Sequence, residues 1–366
     1  MQSLSSREKQ NLQFETVLVL QGGGSLGAYE CGVYKALHRH GIKFDIVAGT
    51  SIGAVNASII AGSRSDEPAK ALEEFWLDLA EGVTSSSLPD KIRPYFASMY
   101  SAVFGNPKMF FPKWFIPSAD YFMPYFWQYI YDITPLKNTL NQYVDFQKIQ
   151  SPDRPRLIIT STDVQNAKPS VFDSKYDHIE ADHVLASAGY PFYGISWTQK
   201  SGKYLWDGTL LSNTPLSEVI NASPKNDKRV YVVDLFPKNQ PELPNNMFEV
   251  WHRARDIIHT DKTAQNIHMS KTITRYLKLI REMHEILSYS TLDEKGKSKL
   301  ALLEQEYHKL ISERGSLIDQ IVRIQRSEHV HFLLEDADFS IATIKELIER
   351  GERDAKETLA TSGGVE

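Results

Sequence analysis

The chain has 366 residues, 42% of them hydrophobic and 24% charged, and a formal net charge of −5. That composition supports a substantial buried core, and the acidic balance excludes a protein built to hold nucleic-acid phosphates. The single cysteine, Cys31, excludes an intrachain disulfide and a thiolate metal cluster, and fits a reducing compartment.

The first residues carry no apolar signal-peptide core, and no run of ~18 uncharged apolar residues occurs, so the expectation is a cytoplasmic chain with any membrane contact peripheral. Residues 1–13 are polar and are expected to fray. Thr16 to Leu20 is a short apolar run with the length and flanks of a buried parallel strand. Gly22, Gly23 and Gly24 break it. Leu26 to His38 then reads as a helix with one apolar face (Leu26, Tyr29, Val33, Ala36, Leu37), and Gly41 suits its C-terminal cap. Phe44 to Ala48 reads as a second strand and Gly53 to Ala61 as a helix of small residues. Strand, turn and helix, twice over, predict a three-layer α/β/α fold with a mainly parallel sheet.

Asp66 to Leu79 reads as an amphipathic helix. From Pro94 to Tyr131, 15 of 38 residues are aromatic, and prolines are interspersed, so residues 82–131 read as an irregular or short-helix insertion. Regular patterning resumes with a helix through Leu136, Leu140 and Tyr143. Strands follow at Leu157 to Thr160 and Ser170 to Phe172. A short helix from Ala181 to Ala188 ends at Gly189. Lys203 to Trp206 is an exposed strand, and Val230 to Leu235 a buried one. Residues 247–288 are helical in pattern. Thr291 to Gln325 reads as a second long helix, because Leu303, Tyr307, Leu310, Leu317, Ile321 and Ile324 follow heptad-like steps. The two predict an antiparallel helical hairpin or a homo-oligomeric seam. His329 to Leu334 reads as a last strand, and Ser340 caps a helix that ends at Gly351, with 360–366 disordered. The expected organisation is a core over 14–240 and a helical C-terminal extension over 245–358.

The strongest chemical signal is Gly49-Thr50-Ser51-Ile52-Gly53, a G-x-S-x-G pentapeptide between an apolar strand and a helix. In a nucleophile elbow the turn is sharp and strained, and side chains at positions 49 and 53 would clash with the neighbouring strand and helix. The competing reading is a Gly-rich turn with Ser51 as a helix cap. The second signal is Gly22-Gly23-Gly24-Ser25-Leu26-Gly27, whose backbone N–H groups would suit an oxyanion hole. Gly22, Gly24 and Gly27 also spell the dinucleotide fingerprint. That fingerprint needs an acidic residue ending the second strand; Gly49-Thr50-Ser51 stands there, and Asp45 lies at the wrong end. The third signal, Asp207-Gly208-Thr209, would be a plain turn if it stood alone.

Together and in this order, the three motifs resemble the patatin-like phospholipase family, as do Ala186 to Pro191 and Asn213 to Leu216; Asp338-Phe339-Ser340 is similar to a C-terminal extension of bacterial members. The resemblance implies a lipid acyl hydrolase with a Ser–Asp dyad. Ser51 would be the nucleophile, Asp207 its proton acceptor, and Gly22, Gly23 and Gly24 the oxyanion hole, with Gly27, Gly49, Gly53 and Gly208 as motif glycines. No cofactor or metal is implied, and the implied partner is an acyl lipid. Two positions depart from the family. Leu26 stands where Arg or Lys is common, and Thr209 where Gly or Ala is usual, which leaves a catalytically silent lipid-binding protein as an alternative. A Ser–His–Asp triad would need His252, His259 or His268, all in helical sequence. His178 and His183, beside Asp177 and Asp182, form no metal-binding pattern and read as helix-cap charges. The aromatic insertion reads as an acyl-channel lining, a bilayer contact, or a cap.

Overall fold

The computed structural model describes residues 14–81, 93–115, 122–123, 125, 127–224, 226–236, 239–240, 243–289, 293–314, 316–326 and 335–362. In chain order these form β1 (Glu15–Leu20), α1 (Gly27–Arg39), β2 (Ile46–Thr50), α2 (Ile52–Gly62), α3 (Pro68–Ala80) and α4 (Arg93–Phe104). A short ribbon follows, made of β3 (Phe111–Pro112) and β4 (Tyr131–Asp132), then α5 (Thr134–Tyr143), β5 (Arg156–Asp163), β6 (Lys168–Asp173) and α6 (Ala181–Ala188). The remainder is β7 (Thr198–Lys200), β8 (Lys203–Asp207), α7 (Leu216–Asn221), β9 (Lys228–Asp234), α8 (Met247–Ser288), α9 (Glu294–Arg314), β10 (Ile318–Gln325) and α10 (Ile341–Ser362).

The central sheet runs β10-β9-β1-β2-β5-β8-β7, with β6 on the other edge of β5. β10, β9, β1, β2 and β5 are parallel; β6, β8 and β7 are antiparallel additions. Alternation along the strands feeds two cores. Leu18, Leu20, Val47, Leu157 and Ile159 pack with α1, α2 and α3, while Val17, Val19, Ile46, Ala48 and Ile158 pack with α7 and residues of α8. Helices therefore cover both faces of a mainly parallel sheet, the expected three-layer arrangement.

Several expectations are corrected. Thr291 to Gln325 is not one helix: α9 stops at Arg314, and Ile318–Gln325 is the edge strand β10, parallel to β9. The apolar spacing suits either structure, and the β-branched run Ile318, Ile321, Val322 and Ile324 favours the strand. Gly351 does not end the last helix, which continues to Ser362 and so takes in the first three residues of the expected disordered tail. The helix α1 is buried all round rather than on one face, because α10 lies along its outer side. Lys35 on α1 bridges Glu73 of α3 and Glu352 of α10, both at 2.7 Å. Residues 1–13, 327–334 and 363–366, where fraying, a final strand and a disordered tail were expected, lie outside the described residues.

Candidate active site

Thr50 ends β2 and Ile52 begins α2, so Ser51 carries the whole reversal. Its backbone sits at φ 56° and ψ −124°, a strained conformation for a residue with a side chain. The turn closes only over glycine. A Cβ on Gly49 would lie 2.2 Å from the Gly53 carbonyl oxygen, and one on Gly53 would lie 2.5 Å from that of Leu20. The Ser51 N–H donates to Ser187 Oγ at 2.9 Å, and Ser187 in turn donates to the Thr160 carbonyl at 2.6 Å. α6 thus fixes the elbow from the side, a part that the sequence held in its Ala186 to Pro191 motif without revealing its role.

Asp207 reaches Ser51 through strand register. β2 pairs with residues 156–160 of β5, and β8 pairs antiparallel with residues 161–163. β6 occupies the opposite edge of β5 across both stretches. The strands β2 and β8 therefore share one edge and meet end to end, with Thr50 opposite Thr160 and Asp207 opposite Ser161. Ser51 and Asp207, 156 residues apart in sequence, turn off the sheet at the same point, and Ser51 Oγ donates to Asp207 Oδ2 at 2.5 Å. Gly208 permits the turn, since a Cβ there would lie 2.5 Å from the Thr160 carbonyl oxygen. Asp207 is buried, and burial pushes its carboxyl up to about 6; hydrogen bonds from Ser51 and Thr209 oppose that rise.

The Thr209 backbone N–H donates to Asp207 Oδ1 at 2.8 Å, a bond that any residue could make at this position. Its hydroxyl donates to Asn213 Oδ1 at 3.1 Å, and the same Asn213 oxygen accepts the Gly22 N–H at 3.0 Å. The Gly22 N–H, one of the three expected oxyanion donors, is thus engaged within the protein. A Cβ on Gly22 would lie 2.5 Å from Thr209 Oγ1 and 2.9 Å from Ser51 Cβ. Gly23 and Gly24 line the same cavity as Ser51. Gly24 adopts φ 58°, and a Cβ on it would lie 2.2 Å from the Asp336 carbonyl oxygen. Leu26 is buried in the apolar core, and Gly27 packs against Ile52 and Trp76. Beneath the loop, buried Glu30 accepts from the Gln21 N–H at 2.7 Å and from Asn56 at 2.8 Å. Burial holds Glu30 well above the usual carboxyl range.

Ser51 and Asp207 open into a cavity of ≈ 360 Å³, within the size range of small-molecule sites. Its walls are mostly apolar: Val55 and Ile52 from α2, Met109, Phe110 and Ile130 from the aromatic insertion, and Phe339 from the C-terminal segment. Sequence reasoning missed Arg255 and Asp336 in this wall. Arg255 donates to Asp336 Oδ2 at 2.8 Å and to Asp256 Oδ1 at 3.0 Å. Of the three candidate triad histidines, His259 lines the cavity and packs on Phe236, His268 is exposed on α8, and the side chain of His252 lies outside the described residues. The carboxylate hydrogen-bonded to Ser51 Oγ is that of Asp207, with no imidazole between them. His183 caps α6, accepting the Glu180 N–H at 3.0 Å, and Asp182 pairs with Lys137 at 2.7 Å. Among the described residues, no group of three or more His, Cys, Asp or Glu side chains could hold a metal ion.

A hydroxyl, a raised carboxyl and an apolar cleft can together perform acyl transfer through a serine ester. The family model for patatin-like phospholipases matches residues 18–220. The mouse patatin-like phospholipase domain-containing protein 7 is 41% identical over 68 residues, which covers 19% of this chain and 5% of that protein. The lysophospholipase NTE1 of Debaryomyces hansenii is 40% identical over 79 residues, with the same two coverages, 19% and 5%. The crystal structure of VipD from Legionella pneumophila aligns over 95% of this chain and 67% of that one, at 12% identity and a TM-score of 0.40.

Proposed function

The chain belongs to the patatin-like phospholipase family, and from that premise we propose that it is a serine lipid acyl hydrolase, cleaving fatty-acyl esters of phospholipids or related lipids through a Ser51–Asp207 dyad. The observation that carries the reading is the 2.5 Å bond from Ser51 Oγ to Asp207 Oδ2 at the floor of an apolar cavity. Ser51 Oγ attacks the ester carbonyl carbon as its proton passes to Asp207. The carbonyl π electrons move to oxygen, and the N–H groups of Gly23 and Gly24 stabilise that oxyanion. One well-placed donor of this kind is worth roughly 3–4 kcal/mol in the transition state. Collapse breaks the ester C–O bond, and the leaving alcohol takes the proton from Asp207. Water then gives a proton to Asp207 as it attacks the acyl-serine carbonyl; collapse breaks the bond to Ser51 Oγ, which takes that proton back from Asp207 as the fatty acid leaves.

An ordinary carboxylate titrating near ~4 is a weak base towards a hydroxyl. Burial, which pushes Asp207 up to about 6, narrows that mismatch while leaving the group ionised at neutral pH. The test is fatty-acid release from phospholipid vesicles and turnover of a short p-nitrophenyl ester. Wild type is compared with Ser51→Ala, Asp207→Asn and His259→Ala. The first two should lose at least about 10³-fold in kcat, while His259→Ala should keep the bulk of its activity on the short ester. Activity surviving Ser51→Ala would overturn the mechanism. Loss in His259→Ala equal to that in Asp207→Asn would return the histidine triad. A folded wild type inert to every ester and to a fluorophosphonate would leave a silent lipid-binding protein.

A further inference from the structure

The helix α4 is amphipathic in the wrong sense for a water-soluble surface. Phe96, Met99, Tyr100, Val103 and Phe104 repeat at the spacing of one helical face, and each is between 41% and 55% exposed. The face turned inward is small: Ala97, Ser98 and Ser101 are fully buried. The bulky apolar stripe is therefore presented to solvent, and Phe115 extends it, stacked on Phe104 at 6.1 Å. Contiguous apolar surface of this kind marks an interaction site.

Its position says what covers it. Ala102, beside the stripe on the same helix, lines the cavity that holds Ser51. Tyr131 and Trp114 donate to the Ala102 and Val103 carbonyls at 2.7 and 3.0 Å, which ties the end of α4 to the cavity wall. Ile130 and Phe192 line the cavity and are also 40% and 71% exposed, so they stand at its mouth. Residues 91–119 contain four basic side chains and no acidic one, in a chain of net charge −5. Lys108, however, is already paired with Asp78, and Lys113 is buried against the rings of Trp127 and Tyr129.

We infer that the outward face of α4 docks on a lipid surface by inserting its aromatic and aliphatic side chains at the acyl boundary, which sets the cavity mouth against the bilayer. The inference extends the acyl-hydrolase reading by naming the surface from which the substrate enters. Binding driven by apolar insertion should depend weakly on salt.

The test is flotation of the full chain with vesicles of phosphatidylcholine, alone or with phosphatidylglycerol, comparing wild type with the Phe96→Ser/Phe104→Ser double variant. Both positions are exposed, and neither lines the cavity. The double variant should bind vesicles on the order of tenfold more weakly and hydrolyse vesicle phospholipid correspondingly less, yet turn over the short soluble ester within about twofold of wild type. Equal vesicle binding by both proteins, or none by wild type, would overturn the inference. So would a wild-type dimer in light scattering that the double variant breaks, since a second copy would then be the occupant. Vesicle binding lost in the variant, from a wild type that no ester or fluorophosphonate engages, would keep the docking surface and remove the acyl-hydrolase reading instead.

Discussion

In the proposed mechanism Asp207 must satisfy two opposed demands. As a base it has to be ionised, and as a buried group it is penalised when ionised. Burial pushes its carboxyl up to about 6, so turnover should rise with pH through an inflection there and level off above it. The same shift ties stability to pH. In the unfolded chain the group titrates near ~3.9. Between that value and about 6 the unfolded chain has released the proton while the folded chain still holds it. Stability therefore falls as pH rises across this window, and the loss is complete above it. A shift of that size corresponds to roughly 3 kcal/mol. Asp207→Asn removes the charge and retains an acceptor. It should be inactive yet melt higher than wild type at about pH 8, and the difference should shrink towards zero near about pH 4. Equal melting temperatures at both pH values would mean that Asp207 carries no such penalty.

At the scale of elements, the closest packing joins α1 to α10, from opposite ends of the chain. A Cβ on Gly32 would lie 1.9 Å from the Ile348 carbonyl oxygen, and one on Gly351 would lie 2.1 Å from that of Tyr29. The two glycines let the helix backbones touch, and the Tyr29 hydroxyl donates to Asp354 at 2.9 Å beside the contact. Backbone cannot retreat as a side-chain tip can. Gly32→Ala should therefore destabilise by about 1–3 kcal/mol, read as a lower thermal midpoint, whereas Lys345→Ala on the exposed side of α10 should change it little. The same contact explains why Gly351 misleads in sequence: a glycine after a helical stretch reads as a stop, but here it is a crossing point. β10 teaches a parallel lesson. Leu317, Ile321 and Ile324 fit a heptad by spacing alone, and the β-branched composition is what distinguishes a parallel edge strand from a helix.

Across the whole molecule, the segment after residue 245 is built into the core fold and into the wall of the cavity. β10 extends the central sheet, α10 covers α1, and Asp336 joins three parts of the site. Its backbone carbonyl abuts Gly24 of the glycine loop, while its carboxylate accepts from Arg255 on α8 and from Tyr193 beyond α6. Asp336 is thus a positioning residue for the glycine loop. Asp336→Ala should lower kcat by about tenfold with little change in KM, and should leave the inflection near 6 in place, because the burial of Asp207 is unaltered. A purely structural role would instead lower the thermal midpoint and the active fraction without changing turnover per labelled serine. No helix among the described residues is long and apolar enough to cross a membrane.

Much of this protein is legible in one dimension. Gly49 to Gly53, the glycine loop at 22–24 and Asp207-Gly208 are local devices. Each is built around glycines whose missing side chains let a tight turn close, so each is visible as a short motif between periodic segments. The parallel sheet and its covering helices follow from apolar runs and their periods in the same way. Tertiary structure decided what depends on partners far along the chain. The end-to-end meeting of β2 and β8 on one edge of β5, which brings Ser51 to Asp207, is a matter of register. The engagement of the Gly22 N–H by Asn213, the entry of Arg255 and Asp336 into the cavity wall, the switch of residues 318–325 from helix to strand, and the outward apolar face of α4 have the same origin. Local sequence sets which conformations are accessible, but hydrogen bonds and burial between distant segments choose among them.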